Sequence, residues 1–220
     1  MPLDPLGLIQ QMTWTQQIMF AVSRYDSVDE ERIRADLLSM RRKAYNDELT
    51  IQAQHVGCPG QVGRLGNGTI LSALNDDSLR DAKSIANTYN YFLGLEIIRA
   101  GQANPRGNRY YYAKAVRDWQ PTYWQWKDPM IAVTTDKSAR AMAVQDFFRM
   151  NGGALGMAKL EPRSAQCPVC QGWIARGLIP LRVALNAPEQ PPYHINCPHG
   201  WDTRPDKVAP SECPPLWMGE

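Results

Sequence analysis

Two short clusters near the carboxy end constrain this 220-residue chain more than any other feature: Cys167-Pro168-Val169-Cys170 and His194-Ile195-Asn196-Cys197, with His199 two residues further on. A tetrahedral zinc ion takes four sulfur or nitrogen ligands, usually as two close pairs brought together by a loop. Each pair supplies a local turn. Pro168 inside the first pair and Gly172 just after it suit a turn whose backbone amides point back at the thiolates. The spacing predicts a structural Zn2+ on Cys167, Cys170, His194 and Cys197, with His199 as the alternative to His194 or as a neighbour. Four ligands close the shell and leave no position for a substrate water, so such an ion staples a fold and turns nothing over. Cys213 is a distant reserve, and Cys58 is expected to be a loop or buried thiol.

Other uses of such cysteines fit less well. A thioredoxin-like redox pair sits at a helix start after a strand, and nothing before Cys167 has the pattern of that strand. Zinc deaminases need His-x-Glu upstream of Pro-Cys-x-x-Cys; here Gln166 precedes Cys167, and His55 is followed by Val56 and Gly57. Neither His-Glu-x-x-His nor Gly-x-Ser-x-Gly occurs. A His-Asn-His nuclease carries cysteine pairs as scaffold, but three histidines in the whole chain make its general base hard to supply. A reactive or redox site and chance spacing stay open as the weaker alternatives.

The need for a staple follows from size, since some fifty residues bury little core and a structural zinc contributes on the order of 10 kcal/mol of folding free energy. The rest of the chain has ordinary globular composition, 44% hydrophobic and 21% charged, which argues against wholesale disorder. A formal net charge of +2 gives no global attraction to nucleic acid, so any such contact needs a local patch. The amino-terminal apolar series does not match a signal peptide: it lacks a basic leader, and Asp4 and several glutamines interrupt it. No run of about 18 apolar residues suggests a membrane span. The five cysteines are accordingly expected in a reducing compartment, as metal ligands or buried thiols and not as disulfides.

Helical periodicity dominates up to about residue 158. A first helix is expected before Tyr25, from Leu8, Ile9, Met12, Ile18, Met19 and Val22. A second starts at a Ser27/Glu30 capping box, with Ile33, Leu37, Met40 and Ala44 as its apolar stripe and Gly57 and Gly60 at its end. The following stretch, Gly57 to Thr69, is rich in glycine but lacks the Gly-Lys-Ser/Thr ending of a phosphate loop, and a plain connection is expected. The third helix is expected over 77–100, with Ile85, Tyr89, Phe92, Leu93 and Ile97 inward. The fourth is expected to start at Thr134 or Thr135 and to bury Ala139, Met142, Ala143, Phe147 and Met150. Between them, residues 105–130 form an aromatic-rich connecting segment in which Arg109 and other cations alternate with Tyr111, Trp119, Trp124 and Trp126. Those five residues are the candidates for partner binding, by protein contact or by stacking on nucleic-acid bases. The bland alternative is that the rings pack internally.

At its carboxy end the sequence resembles the phage minor head, or head morphogenesis, family that includes the Mu F protein. The resemblance lies in Arg140-Ala141, Cys167-Pro168-Val169-Cys170, Gly172 or Gly177 with Ile179-Pro180-Leu181, and Pro191-Pro192-Tyr193-His194-Ile195-Asn196-Cys197-Pro198-His199, over about the last 80 residues. His199 stands where the family pattern ends in a cysteine. The resemblance implies a non-enzymatic virion component, assembled in the host cytoplasm, that meets portal or capsid proteins in several copies and in some members influences packaged DNA. The alternative is a zinc-dependent nucleic-acid-binding protein or nuclease. Together these features predict a mainly α chain: a helical domain over 1–158 and, over 159–220, a small irregular zinc-stapled module of helix plus short β-hairpin.

Overall fold

The computed structural model describes residues 29–58, 68–150, 156–161, 167–193, 197 and 199–207. The chain is mainly helical, as expected. The helix expected before Tyr25 lies outside the described residues. Three helices come first: α1 (Glu30–His55), α2 (Gly68–Ala103) and α3 (Arg109–Met150). Then follow β1 (Gly156–Leu160), α4 (Pro168–Ala175), β2 (Ile179–Pro180), α5 (Leu181–Leu185) and β3 (Trp201–Pro205).

Helix α1 is capped by Asp29, whose Oδ1 accepts the backbone N–H groups of Glu31 and Arg32, both at 3.1 Å. A carboxylate there satisfies two orphan donors and suits the positive end of the helix. Leu37 and Ala44 are buried as predicted, but Ile33 is half-buried and Met40 is exposed. The buried face turns instead through Arg41, Tyr45, Glu48 and Gln52. Each is hydrogen-bonded: Arg41 Nη1 donates to Ser78 Oγ at 2.9 Å, and Tyr45 donates to Asp146 Oδ2 at 3.0 Å. Paired polar groups bury at small cost, and a search for apolar periodicity does not see them. Gly57, at φ 92°, ends the helix where a stop was expected.

Helix α2 begins nine residues earlier than expected, because Ile70 and Leu74 continue its buried side and Ser78 folds its hydroxyl back on the Leu74 carbonyl. The larger departure is α3. The segment expected to connect two helices is itself helical, and Thr134 lies inside the helix, its hydroxyl bonded to the Met130 carbonyl at 2.8 Å. The start is Asn108, whose Oδ1 accepts the N–H groups of Tyr110 and Tyr111 at 3.1 Å. Pro121 and Pro129 sit within the helix. Each loses one backbone hydrogen bond, yet proline's fixed φ is itself a helical value.

The chain divides into two compact units. One unit takes Leu79–Lys127 with the chain up to Ala35; the other takes Asp36–Ser78 and everything from Asp128 on. In the first, Tyr89 is fully buried at the centre of a ring cluster, 5.6 Å from Trp119, 5.4 Å from Tyr123 and 5.4 Å from Trp124. In the second, β1 is the central strand of a three-stranded antiparallel sheet of order β2-β1-β3, where a hairpin was expected. Met157 pairs with Pro180 on one side and Arg204 on the other. Leu160, Leu181, Cys170, Cys197 and Trp201 share one core with Tyr45, Leu49, Phe147 and Phe148. The described carboxy-terminal residues therefore complete a core begun by α1 and α3.

Candidate metal centre

Cys167 is the N-cap of α4 and Pro168 opens the helix, whose first turn carries Cys170 inward to full burial. Proline suits this position because the N–H it lacks has no partner in a first turn. The backbone N–H groups of Cys170 and Val169 act on the Cys167 sulfur, the first more strongly, and hold its thiol below the ordinary value, with no capping hydrogen bond formed. Helix N-termini favour thiolate in this way. Cys197 arrives 27 residues later, also fully buried, with its Sγ 3.8 Å from that of Cys170.

That distance discriminates between chemistries. A disulfide requires about 2.05 Å. A tetrahedron with metal–sulfur bonds of about 2.3 Å has edges near 3.8 Å. The distance therefore excludes a disulfide and suits both a thiol–thiol hydrogen bond and two ligands of one zinc ion. Burial first, and then the hydrogen bond to Cys197, push the Cys170 thiol up to about 12.

His194, the expected fourth ligand, lies outside the described residues, as does Cys213. Among the described residues no group of three or more His, Cys, Asp or Glu side chains is arranged to hold a metal. His199 is buried, and its Nδ1 donates to the Glu161 carbonyl oxygen at 2.9 Å, which ties it to the end of β1. Cys58 departs from expectation: it is disulfide-bonded, whereas Cys167, Cys170 and Cys197 are free thiols. Compartment arguments rank thiol against disulfide in general, but the pairing depends on which sulfurs the fold brings together.

Tyr193 was singled out only as part of a motif. Its ring packs against the core that contains Cys170 and Cys197. Its hydroxyl is buried and, among the described residues, has no hydrogen-bond partner. Burial first, then the charges of Cys170 and Cys197, raise its pKa far above the usual phenol value. The residue beside a predicted histidine ligand was the available signal.

A second polar site lies in the same unit. A cleft of about 570 Å³ is lined by Glu48, Gln52 and His55 from α1, Lys137 and Arg140 from α3, and Thr203 from β3, among others. Arg140, part of the resemblance, donates to Glu48 at 3.1 Å and to Asp136 at 2.9 Å. Gln52 Nε2 donates to Glu48 at 2.6 Å, so its oxygen faces Thr203, which donates to it at 2.8 Å. With the Thr203 proton so engaged, the 3.4 Å contact to His55 has Nδ1–H as donor. Lys137 pairs with Glu161 at 3.1 Å. The charged groups here are paired with one another, which describes an ordered wall between helices and sheet. Glu48, Gln52 and His55 share one helical face by spacing, a signal the sequence does contain.

The partner-binding candidates divide. Trp119, Trp124 and Tyr111 pack against the ring cluster, while Trp126 is 55% exposed with Lys127 Nζ 4.4 Å from its ring centroid. Arg109 opens α3, and its side chain is outside the description. Among the described residues no helix is long and apolar enough to cross a membrane. No family model, no curated protein and no solved structure matches the chain.

Proposed function

We propose that this chain is a non-catalytic structural component of a tailed-phage head or neck, associated with portal or capsid proteins, whose carboxy-terminal residues are tied by a structural zinc ion. The observation that carries the metal part is the meeting of Cys170 and Cys197 sulfurs at a tetrahedral edge length inside a closed core. Cys167 and His194 would complete the set predicted from spacing. When bound, the ion would supply a cross-link between turns and neutralise thiolate charge. The virion part rests on the resemblance in Arg140-Ala141 and the two ligand clusters.

The nucleic-acid alternative draws less support, because Tyr112 and Tyr123 are buried and three of the other rings pack on them, which removes most of a stacking platform. The test has two arms. Elemental analysis of the purified full chain is expected to find one zinc per chain, and gradient sedimentation of a co-expressed mixture is expected to carry the chain with portal or capsid protein. Absence of metal overturns the staple. Free sedimentation together with strongly salt-dependent DNA affinity would favour the alternative, and metal-dependent DNA cleavage lost in His194→Ala with fold intact would favour a nuclease.

A further inference from the structure

We infer that the Tyr193 hydroxyl is the hydrogen-bond donor that holds the metal-bound sulfur of Cys170 or Cys197, a positioning role that rests on the zinc reading above. A buried hydroxyl without a partner carries a penalty comparable with a lost hydrogen bond and is uncommon in folded proteins. Tyr193 has such a hydroxyl, and its ring packs on the core that holds the Cys170 and Cys197 thiols. A neutral thiol is a weak acceptor. A metal-bound thiolate carries charge, and charge-assisted hydrogen bonds are roughly twice as strong.

Other acceptors nearby are engaged or wet. The Gln190 amide nitrogen donates to the carbonyls of Ala184, Leu185 and Ala187 at 3.0, 3.2 and 3.1 Å. Its oxygen accepts from Trp201 Nε1 at 2.9 Å. Glu189 is exposed. Among the described residues, the thiolate pair becomes a strong acceptor when a divalent ion binds; Tyr193 packs on the core that holds both sulfurs, and their charges act on it.

Metal ligands are commonly oriented by such partners, whose loss typically weakens binding about 10- to 100-fold. The experiment compares the full-length wild type with Tyr193→Phe, using Co2+ and Zn2+ as probes. Expected for the variant are unchanged one-to-one stoichiometry, about tenfold weaker Zn2+ affinity in chelator competition, and a thiolate-to-cobalt charge-transfer band shifted to longer wavelength, because the sulfur keeps more electron density. In the metal-free state the melting temperature should be equal or higher, since an unpartnered hydroxyl is removed; in the zinc-loaded state it should be lower. A merely structural role would lower both.

Equal affinity and identical cobalt spectra in the two proteins overturn the role of Tyr193 while leaving the metal site standing. A wild type that takes up neither ion overturns the metal reading and this inference together. A variant destabilised equally with and without metal assigns the hydroxyl to packing and also overturns it.

Discussion

At Gly156 the backbone takes φ 114°, and a Cβ there would lie 2.4 Å from the Arg204 carbonyl oxygen and 2.6 Å from the Pro205 Cα. Both are backbone atoms of the paired strand β3, so neither yields cheaply. Gly156→Ala is expected to destabilise the sheet by about 3 kcal/mol, measurable by denaturant unfolding; wild-type stability in that variant would show that the strand ends differently. Asp146 makes a second residue-scale case. Burial raises its carboxyl above the ordinary range, although the Tyr45 hydrogen bond and the Arg149 charge pull the other way. A raised folded value favours the protonated form, so this contribution is full below about pH 4 and is lost as pH rises through the folded value. Asp146→Asn keeps an acceptor for Tyr45 and should flatten the stability profile over that mildly acidic window, as followed by melting temperature against pH. Neither feature is legible locally: an isolated Gly156 has the letters of any loop glycine, and Asp146 looks like one more exposed helix carboxylate until Tyr45, 101 residues away, is known to meet it.

Elements were legible where apolar spacing and a stop signal agreed. Helix α1 ends at Gly57, and the inward line Tyr89, Leu93 and Ile97 of α2 is buried. The stretch misread as a connection shows the limit of that method. Pro121 and Pro129 mark breaks on propensity alone, yet Tyr112, Trp119, Tyr123 and Trp124 pack in one cluster and that burial outweighs the lost hydrogen bonds. Pro121 is exposed, so replacing it removes little packing. Pro121→Ala should restore one helical hydrogen bond and stabilise the protein by up to about 3 kcal/mol, read from chemical denaturation. Loss of stability would mean instead that the ring cluster needs the local bend proline provides.

For the chain as a whole, the decisive point is where the carboxy-terminal residues find their core. Cys170, Leu181, Cys197 and Trp201 pack with Tyr45, Leu49 and Phe147, so the sheet leans on helices for its burial. On the proposed zinc reading, metal removal is therefore expected to loosen this unit and lower its melting temperature without unfolding the helices. The measurements are near-ultraviolet dichroism from the edge-to-face pair Trp173 and Trp201, whose centroids are 5.3 Å apart, set against nearly constant far-ultraviolet helix signal. Collapse of both signals together would indicate a dependence on the ion far greater than a shared core permits. The letters alone determined the helical character and where the clearest helix stops, because period and stop signals are local; the cap expected from Ser27 and Glu30 is instead Asp29. Tertiary structure decided the rest: the unbroken α3, the buried polar face of α1, the disulfide at Cys58 and the burial of the Tyr193 hydroxyl. Those depend on which distant groups satisfy or desolvate one another, and no window of neighbouring residues carries that information.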